Sequence, residues 1–139
     1  MKPSAILLFA AASFGLGNAA ALPESTSPNL HKRACFKSGE DFGSNRVDAY
    51  ATIRKACDEY FQGTYNKGKE YSKCYNMTKT KSLQLVIGLK GKNAGATRYL
   101  SPEECRGGLG SEVDNCSKGG QTTYGNWYYR VDPNSGACP

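Results

Sequence analysis

Over residues 46–61 the apolar side chains of Val47, Tyr50, Ile53, Ala56, Cys57, Tyr60 and Phe61 recur every three or four positions. This predicts a helix, and Gly63 stops it. Residues 69–77 alternate instead: Tyr71, Lys73, Tyr75 and Met77 share one face, Ser72 and Cys74 the other. Residues 83–89 place Leu83, Leu85, Ile87 and Leu89 in a single apolar row, the pattern of a strand with one face buried. Lys79-Thr80-Lys81 is short enough to join these strands as a hairpin, and residues 91–95 read as a loop. Ser101-Pro102-Glu103-Glu104 marks a helix start, with Ser at the cap, Pro in the first turn and Glu three residues on. That helix carries Cys105, Leu109, Val113 and Cys116 and is expected to run to Gly119-Gly120. Gly107, Gly108 and Gly110 weaken it by about 1 kcal/mol each relative to Ala. Residues 126–131 form the last expected strand, and Asp132-Pro133-Asn134-Ser135-Gly136 a turn. The order helix, strand, strand, helix, strand predicts an α+β domain, in which an antiparallel sheet of about three to four strands is packed by two helices.

The N-terminal part has a different character. Lys2, the apolar run 5–12 and the small residues at 17–21 make the pattern of a secretory signal peptide over residues 1–21. The run is too short to cross a bilayer, and no membrane span is expected. Residues 22–33 are polar and contain Pro, and they end in Lys32-Arg33, read as a dibasic processing site closing a propeptide. Residues 34–139 remain, the size of one domain. All six cysteines lie there: Cys35, Cys57, Cys74, Cys105, Cys116 and Cys138. An even count in a small exported chain predicts a disulfide framework that staples the domain, in an extracellular setting; the pairing stays open. No C-x-x-C occurs, so zinc ribbons and thioredoxin-type centres lack their signature.

Charge adds little. The formal +6 of the whole chain falls to about +4 once the leader is removed. Lys67, Lys69, Lys73, Lys79, Lys81, Lys90 and Lys92 crowd the middle of the chain and read mainly as a solvated surface. The single histidine, His31, lies in the leader. Residues 34–139 therefore lack imidazole for a Ser or Cys triad or for a His metal site, and no metal or cofactor is expected. Among the carboxylates, Asp58-Glu59 and Glu103-Glu104 are helix neighbours that diverge, and Glu103 and Glu104 suit a first helical turn. Nothing marks a catalytic pair, so the expectation is a protein that is not an enzyme.

Aromatics carry the remaining chemistry. The sequence holds nine Tyr and one Trp, and the stretch from Tyr124 through Asn126, Trp127, Tyr128 and Tyr129 to Asp132 mixes rings with hydrogen-bonding groups. Sugars offer apolar faces to rings and hydroxyls to polar groups. Alternation buries Trp127, Tyr129 and Val131 and exposes Asn126, Tyr128 and Arg130. If Cys74 points inward to form its bridge, Tyr71 and Tyr75 point outward. Tyr71, Tyr75, Tyr128 and Arg130 would then form one outer-face glycan site. Asn76-Met77-Thr78 is a glycosylation sequon; Asn115-Cys116-Ser117 also matches, but its middle residue is expected in a bridge.

The segment Trp127-Tyr128-Tyr129-Arg130-Val131-Asp132-Pro133-Asn134-Ser135-Gly136-Ala137-Cys138, together with Gly119-Gly120-Gln121 and the spaced cysteines, resembles small secreted fungal proteins of the glycan-binding Y-three-like domain family. The resemblance spans residues 35–138. It implies a disulfide-bonded α/β sandwich with lectin-like binding of carbohydrate or glycoprotein, and it leaves a homodimer open. Two other readings stand beside a secreted lectin. One is a secreted effector that binds a host or competitor protein. The other is an atypical ribonuclease, which the missing histidine disfavours, so nucleic acid is not an expected partner.

Overall fold

The computed structural model describes residues 33–139. The expected signal peptide and the propeptide through Lys32 lie outside the described residues. Strand β1 (Ala34–Cys35) is followed by a short 3-10 turn (Gly43–Asn45), helix α1 (Arg46–Ala56) and a π turn (Cys57–Phe61). Next come β2 (Gly63–Asn66), β3 (Glu70–Asn76), β4 (Lys81–Leu89) and β5 (Thr97–Leu100). Helix α2 (Pro102–Asn115), β6 (Gly120–Tyr124) and β7 (Trp127–Ser135) complete the chain. The fold class is α+β. A five-stranded sheet in the order β1-β6-β7-β4-β3 and a two-stranded sheet β2-β5 are antiparallel throughout.

Alternation in β4 and β7 builds the core. Leu85, Ile87 and Leu89 sit opposite Val131, Tyr129 and Trp127, and directly paired residues share a face. All six are buried, as alternation predicted for β7. Each such side chain contributes about 1.5–3 kcal/mol by leaving water. Ala49, Thr52, Ile53 and Ala56 of α1 and Cys105, Leu109 and Val113 of α2 face this layer. Ser101 caps α2 as the sequence predicts, its Oγ accepting the N–H of Glu104 at 3.0 Å.

Several boundaries differ from the sequence reading. The large sheet has five strands because the short β1 and the polar β6 join it. β2 and β5 carry too few alternating apolar residues to announce themselves. Helix α2 ends at Asn115, not at Gly119. Residues 132–135 continue β7, pairing with β4 from Gln84 back to Lys81, so the expected turn there is strand. Ladder hydrogen bonds outweigh the turn propensity of Asp-Pro-Asn at this position. Asn126 is a turn residue, not a strand residue. Gly125 and Asn126 have φ of 58° and 71° between the paired Tyr124 and Trp127, a two-residue hairpin with both φ positive.

Three disulfides use all six cysteines. Cys35–Cys116 ties β1 to the end of α2, Cys57–Cys105 joins the π turn to α2, and Cys74–Cys138 clamps the C-terminus to β3. Among the described residues no helix is long and apolar enough to cross a membrane.

Candidate functional site

The glycines of α2 open a cleft. A Cβ on Gly108 would lie far closer than 3.0 Å to the ring of Tyr129. The helix backbone therefore rests on that ring, and the β6–β7 hairpin rises beside it. Between them is a cavity of about 620 Å³, within the usual range for small-ligand sites of about 300–1,000 Å³.

One end of the cleft is built around Glu104. Its Oε2 accepts from Arg98 Nη2 at 2.8 Å and from Trp127 Nε1 at 3.1 Å. Arg98 also donates to the Gly125 carbonyl at 2.6 Å, and its guanidinium lies 5.4 Å from the Trp127 ring centre. Strand β5, helix α2 and the hairpin turn thus meet in one polar cluster. Tyr124 stands at the rim with 53% of its surface exposed, and Asn126 lines the wall beside it. Burial raises the Tyr129 hydroxyl well above the ordinary tyrosine value.

Glu112 lies at the other end, two turns along α2. Its side chain is 1% exposed, and Oε1 faces Arg33 Nε at 3.3 Å. Burial raises its pKa above the ordinary carboxylate value, while the Arg33 guanidinium pulls the other way. Even so, Glu112 Oε2 and Thr122 Oγ1 make no hydrogen bond among the described residues. The cleft therefore offers a free aromatic face, two carboxylates and two guanidinium groups. Such a set stacks on the C–H face of a sugar and pairs with its hydroxyls.

The four residues expected to form the glycan site do not share a face. Tyr128 and Arg130 do lie side by side on the outer face of the sheet. The Tyr128 hydroxyl donates to Gln121 Oε1 at 2.6 Å, and Lys90 Nζ lies 5.6 Å from the ring centre. Arg130 donates to Asp132 at 3.3 Å and lies 5.0 Å from the Phe36 ring centre. Tyr71 and Tyr75 pair with Ile87 and Leu83 and pack against the core. The expected inward Cys74 is the source of the difference: it stands on the opposite face and reaches Cys138 there. Tyr71 instead meets Tyr65 edge-on at 4.9 Å.

Asn76 is exposed, and its Oδ1 accepts the N–H of Cys138 at 2.8 Å. Sequence reasoning missed Arg98 and read Glu104 as a capping residue and first-turn charge. Glu112 did leave a signal. It lies seven residues after Cys105 and beside Val113, an acidic residue on the apolar stripe of a helix.

The family model described as glycan binding domain Y3 matches residues 48–138. The match covers β5, α2 and the β6–β7 hairpin, and so the whole cleft apart from Arg33. No curated protein matches the chain.

Proposed function

This chain belongs to the glycan binding domain Y3 family, and from that premise we propose that it is a secreted, non-catalytic lectin whose sugar site is the cleft between α2 and the β6–β7 hairpin. The observation that carries the choice of site is exposed Tyr124 beside the Glu104–Arg98 pair in a concavity of sugar size. On the outer face, by contrast, Tyr128 and Arg130 are engaged by their own neighbours. The ring of Tyr124 takes the apolar face of a sugar, while Glu104, Arg98 and Asn126 take its hydroxyls. Loss of one such ring contact weakens binding by about 1–3 kcal/mol, on the order of tenfold or more.

The placing of the two cleft carboxylates supports binding without catalysis. Glu104 and Glu112 are eight residues apart on one helix, about 12 Å of rise. A glycosidase pair stands about 5–9.5 Å apart across the scissile bond. Glu104 is also held by the Arg98 guanidinium group.

The same reading sends the chain through an oxidising secretory route, with which the three disulfides accord. Removal of residues 1–21, cleavage after Lys32-Arg33 and glycosylation of Asn76 belong to it. Intact-mass measurement of exported protein is expected to give an N-terminus at Ala34 and one glycan lost with Asn76→Gln. A glycan array on that material, with Tyr124→Ala and Tyr128→Ala beside it, tests the site. Tyr124→Ala should weaken binding about tenfold or more and Tyr128→Ala leave most of it. The reverse outcome would move the site to the outer face, and no signal with any sugar would defeat the lectin reading.

A further inference from the structure

The contacts of Tyr124 and Glu104 leave Glu112 without a task. It is fully buried on α2, lines the cleft and has one oxygen unpartnered among the described residues. Its one ion-pair partner there is Arg33, the second residue of the dibasic pair. Cys35, locked to Cys116 just past the end of α2, anchors β1 on the sheet edge. That anchor sets the preceding residue, Arg33, over the cleft. The last residue of the leader thus holds a guanidinium inside the cavity that the mature chain would use.

We infer that Glu112 is a cation subsite of the cleft, occupied by Arg33 in the precursor and opened by cleavage to the ammonium group of an unacetylated hexosamine. The identity of the ligand as a sugar rests on the lectin reading above. In the cleavage a dibasic-specific protease hydrolyses the Arg33–Ala34 peptide bond. The water oxygen joins the Arg33 carbonyl carbon as a carboxylate, and the Ala34 nitrogen leaves as an amine and takes up a proton. Every described strand, helix and disulfide lies on the Ala34 side of that bond. The fold therefore stays closed while the guanidinium departs, and the new ammonium stays on the Ala34 backbone, where β1 pairs with β6. Arg98 remains bound to Glu104 and Gly125, so Glu112 is the carboxylate left without its partner. A buried carboxylate in that state favours a ligand bringing both positive charge and N–H donors. An ammonium group meets that demand, and a neutral acetamido group does not.

The test starts from precursor secreted by a host that lacks the dibasic protease; half is cut with that protease after folding. Binding of glucosamine tetramer and N-acetylglucosamine tetramer to both forms is measured by calorimetry. The cut form should bind glucosamine tetramer about tenfold or more tightly than the uncut form does. Cut Glu112→Gln protein should lose that gain, with its fold checked by circular dichroism. Arginine amide, standing in for Arg33, should compete with glucosamine tetramer on the cut form, which keeps a readout if Glu112→Gln fails to fold. Equal affinity of the cut and uncut forms, or no competition by arginine amide, overturns the subsite while binding of the N-acetylated sugar preserves the lectin reading. No binding of either sugar by either form, with a blank glycan array, removes both.

Discussion

Gly108→Ala separates the energetics of the helix from those of the cleft. In a free helix the change would stabilise by about 1 kcal/mol. Here the new Cβ meets three atoms of the Tyr129 ring at distances no packed side chain tolerates. The ring has little room to retreat. Tyr129 is 3% exposed, its strand is paired with Ile87 on one side and Thr122 on the other, and its hydroxyl reaches the Glu104 carbonyl at 3.4 Å. Overpacking of this kind costs about 1–3 kcal/mol, and a ring held on both sides belongs at the upper end. The net expectation is destabilisation by about 2 kcal/mol, a fall in melting temperature of about 10 °C for a domain of this size. Gly107→Ala and Gly110→Ala meet nothing within 4 Å and should each stabilise by up to about 1 kcal/mol. Urea unfolding of the three variants measures the contrast, and Tyr129→Leu in the Gly108→Ala background should recover at least about 1 kcal/mol. If Gly108→Ala stabilises the protein as its neighbours do, the helix does not rest on that ring and the cleft floor is wrongly placed.

Replacing Cys57 and Cys105 together with Ala removes a link spanning 48 residues and should lower unfolding free energy by about 4 kcal/mol; a loss below about 1 kcal/mol in denaturant titration would contradict this. Glu112 binds its proton more tightly in the folded chain than its ordinary value of 4.5. Stability linked to it is therefore greatest below that value and declines as pH rises through the raised one. With Arg33 retained, Glu112→Gln should flatten that decline in unfolding measured from pH 4 to 7, and an unchanged profile would count against the burial argument. Glu104→Gln weakens charge-assisted bonds to Arg98 and Trp127 and should cost about 1–2 kcal/mol in thermal unfolding. The same variant should reduce any array signal carried by Tyr124.

The sequence alone determined whatever depends on neighbours along the chain. The apolar row of β4, the buried Trp127-Tyr129-Val131 set, the Ser101 cap and the stripe of α1 follow from local periodicity and capping chemistry. Tertiary structure decided what depends on partners far away. Tyr71 and Tyr75 turn inward because β3 pairs in register with the buried row of β4, and no local rule says which face Cys74 needs to reach Cys138. Strand β6 exists because β7 lies beside it, and Gly108 is required by a ring 21 positions later in the chain. The cleft joins Arg33 ahead of β1, Arg98 of β5, Glu104 and Glu112 of α2 and Tyr124 of β6. Side-chain chemistry is written one residue at a time, whereas a concave site exists only once helix, hairpin and sheet edge have closed around it.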